Sequence, residues 1–151
     1  YKDFQSEDLP KYTTEDGVDV TVIAGTSHGV EGAVTRDITE PTYLDIHLPA
    51  GTSFSQAIPA DHNAFAFVYR GTVDIEGREV PTKTMAILEN NDSADGVTIT
   101  SDSSEDTKVI LITGRPLREP IVQYGPFVMN SQQEIMQAVT DFQSGKFGEG
   151  A

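Results

Sequence analysis

The chain has 151 residues, a length that fits one domain of ordinary size, and we expect residues 1–151 to form a single domain. Its formal charge of −14 repels phosphate backbones and anionic membranes, which argues against direct binding to nucleic acid and against membrane association. There is no cysteine, so disulfides, thiolate metal sites and a cysteine nucleophile are excluded, and the cytoplasm is the expected location.

Short segments rich in β-branched residues recur from residue 17 onward, separated by turn residues at intervals of about 8–12. The chain has 13 Val and 11 Ile against 6 Leu, which also favours strands. This pattern predicts an all-β, antiparallel sandwich or barrel. In chain order, the predicted strands are Val18–Ala24, Tyr43–Leu48, Phe54–Ala57, Ala64–Arg70, Thr72–Ile75, Lys83–Leu88, Val97–Thr100, Lys108–Thr113 and Ile121–Tyr124.

Two of these strands show which faces are buried. The strand Tyr43–Leu48 alternates apolar and polar residues, which predicts one buried and one wet face, with His47 on the wet face. In Ala64–Arg70, Phe65, Phe67 and Val68 are nearly continuous, which predicts a strand covered on both sides.

A helix is predicted near the end of the chain. Ser131 and Glu134 have the spacing of a capping box, with Ser131 at the N-cap, and Gly145 stands where a C-terminal cap belongs. Between them, one apolar stripe follows the helical spacing and consists of Ile135, Ala138, Val139 and Phe142. The stripe predicts either ordinary packing or an interface with a missing partner domain.

Three segments carry a resemblance to a known family: Gly114–Leu117 (GRPL), Glu119–Asn130 (EPIVQYGPFVMN) and His62–Phe65 (HNAF). With these segments, the chain resembles the C-terminal half of pirin-type bicupins. The resemblance implies a cupin β-sandwich, or jelly roll, with a C-terminal helix, whose N-terminal partner cupin is absent from this chain. It further implies that iron belongs to that absent N-terminal cupin.

The resemblance implies a cupin metal motif in which a glycine is followed by two His, two residues apart, and then by a Glu. Laid on this chain from Gly51, the motif places its ligand slots at Ala57, Pro59 and Asn63. Alkyl side chains do not bind a cation, and Asn63 offers only a neutral carbonyl. We therefore expect no metal site and no cofactor in this chain.

Residues for other chemistry are scattered. No pair among His28, His47 and His62 has metal-ligand spacing, and Ser27 or Ser53 with any His is unconstrained by local sequence. We expect His62 to be a loop imidazole that bonds a backbone group. The nearby charges of Arg115, Arg118 and Glu119 predict a local ion pair. No catalytic residue is predicted.

Four functions remain open. The chain is either a metal-free cupin with a structural, docking or substrate-covering role, or part of an iron-dependent quercetin dioxygenase whose active site lies in the missing half. The resemblance also implies an iron-dependent transcription co-regulator. A binding module that holds a small molecule in the empty barrel is the fourth.

Apolar residues after the last sandwich strand predict a docking surface for the absent cupin. If this surface is exposed to water because the partner cupin is absent, we expect it to drive formation of a homodimer. The expected interface residues are Tyr124, Phe127, Met129, Ile135, Val139 and Phe142.

Overall fold

The computed structural model describes residues 3–148 and shows two compact units, the first ending at Pro116 and the second beginning at Leu117. The division concerns packing within the chain, and the independent folding of 1–151 as a single domain stays a prediction.

The first unit begins with a short 3-10 helix, Ser6–Asp8, and continues as strands. They are β1 (Lys11–Thr13), β2 (Asp19–Ala24), β3 (Thr26–Ser27), β4 (Val30–Glu31), β5 (Thr42–Leu48), β6 (Ser53–Ala57), β7 (Asn63–Arg70), β8 (Val73–Ile75), β9 (Arg78–Val80), β10 (Thr84–Leu88), β11 (Gly96–Ser101) and β12 (Thr107–Gly114).

These strands form a sandwich of two antiparallel sheets. One sheet has the order β1-β2-β5-β12-β7-β10, the other has the order β6-β11-β8-β9, and β3 pairs with β4. The core lies between the two sheets and consists of the inward side chains of both, from Val20 and Leu44 on one side to Phe54 and Ile99 on the other. The predicted all-β antiparallel class is confirmed, and each predicted strand is present within one residue of its expected bounds.

Strand β5 alternates as predicted, whereas β7 does not have two fully buried faces. In β7 the inward positions are taken by Ala64, Ala66 and Val68, and the rings of Phe65 and Phe67 are only half-buried on the outer face. The prediction for β7 was wrong because a continuous apolar run does not show which side chains point inward.

Glycine is required at the turn after β2, next to the segment that contains Glu40. Gly25 follows β2 with a φ of +75°, and a Cβ there would collide with the backbone oxygen of Pro41. The segment before Pro41 can therefore approach the end of β2 closely.

The second unit consists of the hairpin β13 (Val122–Tyr124) and β14 (Phe127–Met129), followed by helix α1 (Gln132–Gln143). Ser131 is the N-cap, its side chain accepts a bond from the Glu134 backbone, and Gly145 has a φ of +74° just after the helix, as predicted. Within residues 3–148, no helix has the length and apolar character that a bilayer crossing requires.

Candidate functional site

The interior face of β6 carries different residues from those that the motif spacing predicted. Gln56 and Ile58 are buried, whereas Ala57, Pro59 and Asn63 are exposed. Successive strand residues point to opposite faces. If the register counted from Gly51 is displaced by one residue, positions expected to face the interior therefore face the solvent. The three expected slots therefore lie on the solvent side of the sandwich.

The resemblance implies iron in the absent N-terminal cupin, and the inward residues of this chain do not fit such an ion. Gln56 offers a neutral amide, Ile58 offers hydrocarbon, and His62 is the one imidazole that adjoins them in sequence. Within the part of the chain that the structure describes, no three His, Asp or Glu side chains lie together as a metal-binding group. No iron chemistry is derived from this chain's own residues.

Gln56 instead belongs to a buried hydrogen-bond network. Ser27 Oγ donates to Gln56 Oε1 at 2.6 Å and lies 2.7 Å from Tyr12 Oη, which in turn lies 2.9 Å from His28 Nδ1. Ser27 Oγ also lies 3.2 Å from His28 Nδ1, so Tyr12, Ser27 and His28 all contact one another. Burial raises the pKa of Tyr12, and its hydrogen bond with Ser27 opposes that rise only partly.

This network also decides the nucleophile question for Ser27. Its side chain is buried and bonds the amide oxygen of Gln56 at 2.6 Å, while its Oγ also lies 3.2 Å from His28 Nδ1. Activation of a serine requires that a base accept its hydroxyl proton. The burial of Ser27 and its shorter bond to Gln56 assign its hydroxyl to the internal network.

The second polar cluster surrounds His62, which is only 6% exposed. Among the described residues, neither ring nitrogen of His62 has a hydrogen-bond partner, although Nε2 lies 3.5 Å from Glu40 Oε2. The same Glu40 oxygen binds Arg115 at 2.8 Å, and Asp61 lies 4.0 Å from that guanidinium. The expected bond from the His62 ring to a backbone group was therefore wrong, since only the His62 backbone N–H makes such a bond, to Pro59.

The ion pair of Arg115 was also predicted with the wrong partner. Arg115 pairs with Glu40, which is distant in sequence, whereas Glu119 accepts a bond from the Asn130 amide at 3.0 Å. Sequence proximity did not reveal either partner because both contacts are created by chain folding. The left-handed backbone of Glu40, with φ of +40°, is a further feature without a sequence signal.

A third polar cluster occupies the outer face of the six-stranded sheet. Tyr69 Oη donates to Asp45 Oδ1 at 2.7 Å and lies 3.0 Å from His47 Nε2. Burial is the main cause that raises the pKa of Tyr69 well above its usual range, and the bond to Asp45 and the charge of Asp45 raise it further. His47 lies on the outer face as predicted, but it is half-exposed and bonded.

The six expected interface residues lie in the second unit, in different environments. Tyr124 is 66% exposed and Phe142 65% exposed, whereas Ile135, at 1% exposed, belongs to internal packing and not to a surface. The partly buried residues are Phe127, Met129 and Val139. The ring of Phe127 contacts the rings of Phe142 and Phe147 at centroid distances of 6.0 and 5.3 Å.

Five exposed apolar residues of this unit lie outside the six expected interface residues: Leu117, Ile121, Val128, Met136 and Phe147. Met136 lies one position beside the helical stripe, and Phe147 follows the helix, so neither has a periodic signal.

The two-sheet antiparallel sandwich, with the side chains of β6 directed into its interior, defines the class of protein. It is a cupin-type β-sandwich whose interior lacks a metal-ligand set among residues 3–148.

Comparison with known proteins identifies the family. The family described as the pirin C-terminal cupin domain matches residues 43–148. Pirin of Homo sapiens is 40% identical over 154 residues, which cover 98% of this chain and 51% of that protein. A pirin-like protein of Caulobacter vibrioides is 35% identical over 148 residues, with 97% and 52% coverage.

A crystal structure of quercetin 2,3-dioxygenase from Acinetobacter baumannii matches with a TM-score of 0.80 and 37% identity, over 95% of this chain and 49% of that one. The chain belongs to the pirin family and contains its C-terminal cupin domain. It spans about half the length of the curated relatives it matches.

Proposed function

We propose that this chain is the metal-free second cupin of a two-cupin protein and that it docks onto the preceding cupin rather than carrying out chemistry itself. The observation that carries this proposal is the distribution of exposed apolar side chains. Ten large hydrophobic residues are exposed among residues 3–148, and seven of them lie in the unit 117–151. Exposed apolar groups concentrated in one segment are typical of interaction surfaces.

The composition of the hairpin and helix supports docking. Tyr124 and Val128 are exposed on the hairpin, and Met136 and Phe142 are exposed on α1. Aromatic residues and Met are enriched in interface cores, where they bury a large area with few charges. The interior chemistry agrees, since the buried side chains of Gln56 and Ile58 offer a neutral amide and hydrocarbon, which are weak ligands for iron or none at all.

The second candidate function is a part in an iron-dependent quercetin dioxygenase, with the iron held by the other half. The likeness to the Acinetobacter baumannii enzyme supports this candidate, because it extends over nearly the whole chain at 37% identity. The docking role and the dioxygenase role are compatible, since a covering cupin acts by excluding water and orienting the other half. A cytoplasmic location stays a prediction, and the co-regulator hypothesis has no structural observation of its own.

The experiment expresses the polypeptide encoded upstream of Tyr1 separately and mixes it with this chain in sedimentation velocity runs. We expect a one-to-one complex, and we expect Phe142→Ser and Tyr124→Ser each to weaken it at least about tenfold. Ile38→Ser is the matched control, because Ile38 is also exposed but lies in the first unit. Absence of a complex, or equal weakening by all three variants, would overturn the docking role.

Oxygen uptake with quercetin then tests the second candidate. We expect uptake with the complex and none with this chain alone, because the described residues provide no metal-binding group. Chelator-sensitive turnover by this chain alone would contradict both roles.

A further inference from the structure

A cleft of about 630 Å³ opens between the two sheets of the first unit. It lies between β10, the last strand of the six-stranded sheet, and strands β8, β9 and β11 of the other sheet. Because β9 and β10 end their sheets, no further strand closes the sandwich between them. The volume falls in the range of small-molecule sites in proteins.

The walls of this cleft are aliphatic and its rim is polar. The inward-facing wall residues are Ile75, Val80, Ala86, Leu88 and Val97. The charged or polar rim residues are Glu76, Arg78, Glu89 and Asn91. The described lining contains no Phe or Tyr, so its inward residues favour an alkyl group over stacking on a ring. Charged groups lie only at the rim, where two carboxylates, Glu76 and Glu89, outnumber the one guanidinium of Arg78.

A smaller cavity of about 40 Å³ adjoins this cleft and reaches His62. The two cavities share the lining residues Leu88, Glu89, Ala94 and Gly96. The small cavity has room for one hydroxyl-sized group, since a water molecule occupies about 30 Å³ in the liquid. A polar group placed in this cavity therefore lies beside an imidazole while the rest of the molecule occupies the cleft.

The imidazole of His62 is the buried polar side chain that lines the small cavity. It is buried, and neither of its ring nitrogens has a hydrogen-bond partner among residues 3–148, although Nε2 lies 3.5 Å from the Glu40 carboxylate. Buried polar groups are paired in the great majority of native structures, so an unpaired one requires an explanation. A neutral imidazole has one donor and one acceptor nitrogen, and a hydroxyl group is able to bond either one.

We propose that the cleft binds a small, uncharged, mainly aliphatic alcohol whose hydroxyl group hydrogen-bonds His62. The aliphatic walls select an uncharged alkyl group, and the chain's charge of −14 disfavours a carboxylate of the same length. His62 provides the one polar contact that fixes the orientation of the molecule. The site is independent of the docking surface, since every lining residue belongs to the first unit.

The experiment titrates 1-hexanol into the full chain and follows the three histidine rings by NMR, with each ring assigned from single His→Gln variants. We expect a saturable shift of the His62 signals without a comparable shift of His28 or His47. Hexanoate, which has the same chain length and a charge, is expected to bind at least about tenfold more weakly, because Glu89 of the lining and Glu40 beside His62 repel its carboxylate.

Two variants test the two parts of the site. His62→Phe retains a planar ring without hydrogen-bonding nitrogens, and it should weaken hexanol binding about tenfold, as expected from loss of one buried hydrogen bond. Ala94→Trp places a large ring at the exposed wall shared by the two cavities and should abolish binding; because Ala94 lies in a loop, this variant remains informative if His62→Phe does not fold. Ile38→Trp is its exposed control and should bind normally.

Three results would overturn the proposal. The first is the lack of a saturable His62 shift up to the solubility of hexanol, which would mean that water alone occupies the small cavity. The second is equal hexanol affinity of a folded His62→Phe variant. The third is unchanged binding by Ala94→Trp.

Discussion

The hydroxyl of Tyr69 donates a 2.7 Å hydrogen bond to Asp45 across the outer face of the six-stranded sheet. The bond requires the phenol to keep its proton, because a phenolate beside a carboxylate would be repelled. Tyr69 and Asp45 are 24 residues apart, so the pair exists only after β5, β12 and β7 have aligned in one sheet.

Stability should therefore fall at high pH partly through Tyr69. Its pKa is raised, first by burial and then by Asp45, so above about pH 10 the unfolded chain loses this proton while the folded chain retains it. The unfolding free energy accordingly decreases as pH rises above 10. We expect Tyr69→Phe to show a shallower decrease between about pH 10 and 12 in urea unfolding curves. The pKa of Tyr12 is raised too, so Tyr12→Phe should remove a further part of the slope, and equal slopes in all three proteins would contradict the assignment.

The buried Ser27–Gln56 bond should contribute measurably to stability. Gln56→Leu retains the side-chain size and removes the acceptor, which leaves the buried Ser27 hydroxyl without this partner. We expect a loss of about 1–3 kcal/mol in urea unfolding. Ser55→Ala, next to it on the exposed side of β6, removes a bond to Thr98 and should cost less than about 1 kcal/mol. A Gln56→Leu variant as stable as Ser55→Ala would show that the buried network is not a stabilising feature.

Two glycines with similar positive φ angles should differ in how much stability an alanine substitution costs. Gly25 and Gly29 have φ of +75° and +81°, but a Cβ at Gly25 meets Pro41, while a Cβ at Gly29 meets open space. Gly29→Ala should cost about 1–2 kcal/mol for the left-handed backbone alone. Gly25→Ala should cost clearly more, since it also displaces the segment that holds Glu40. Thermal unfolding of the two variants checks this order, and equal costs would rule out the steric part.

Metal binding should follow the interior register and not the motif spacing. The chain as it stands should contain no stoichiometric iron by elemental analysis, and about one equivalent resistant to chelator would contradict this. Gln56→His with Ile58→His places two imidazoles on the buried side near His62, whereas Ala57→His with Pro59→His places them outside. We expect the inward pair to bind Co²⁺ at least about tenfold more tightly, as read from its visible absorption. Equal affinities would mean that the interior positions are not the equivalents of cupin ligands.

Self-association should increase with salt if the exposed residues of the second unit form a contact between copies. The charge of −14 opposes association at low salt, and screening reduces this repulsion as the Debye length falls from about 10 to about 3 Å. We expect sedimentation equilibrium to show a larger dimer fraction at high salt, and Phe142→Glu to abolish it. A monomer at both salt concentrations would contradict the homodimer prediction.

The local sequence was sufficient for the elements whose signal lies within a few residues. The alternation of Leu44, Ile46 and Leu48 predicts β5, and the capping residues Ser131 and Glu134 predict the start of α1. Both patterns depend on backbone geometry over only a few consecutive residues. The segment Glu119–Asn130 was sufficient to indicate the family. By contrast, strands of two or three residues, such as β3 and β4, have too little sequence to show a period.

Which residues share the interior of the sandwich was decided by the tertiary structure. The motif spacing fell on the exposed residues Ala57, Pro59 and Asn63, since a strand reverses its faces with every residue and the loop after Gly51 does not reveal the register. The partners of Gln56, His62 and Arg115 come from segments 29, 22 and 75 residues away. Contacts of this kind depend on how sheets stack and strands align, and no local periodicity encodes them.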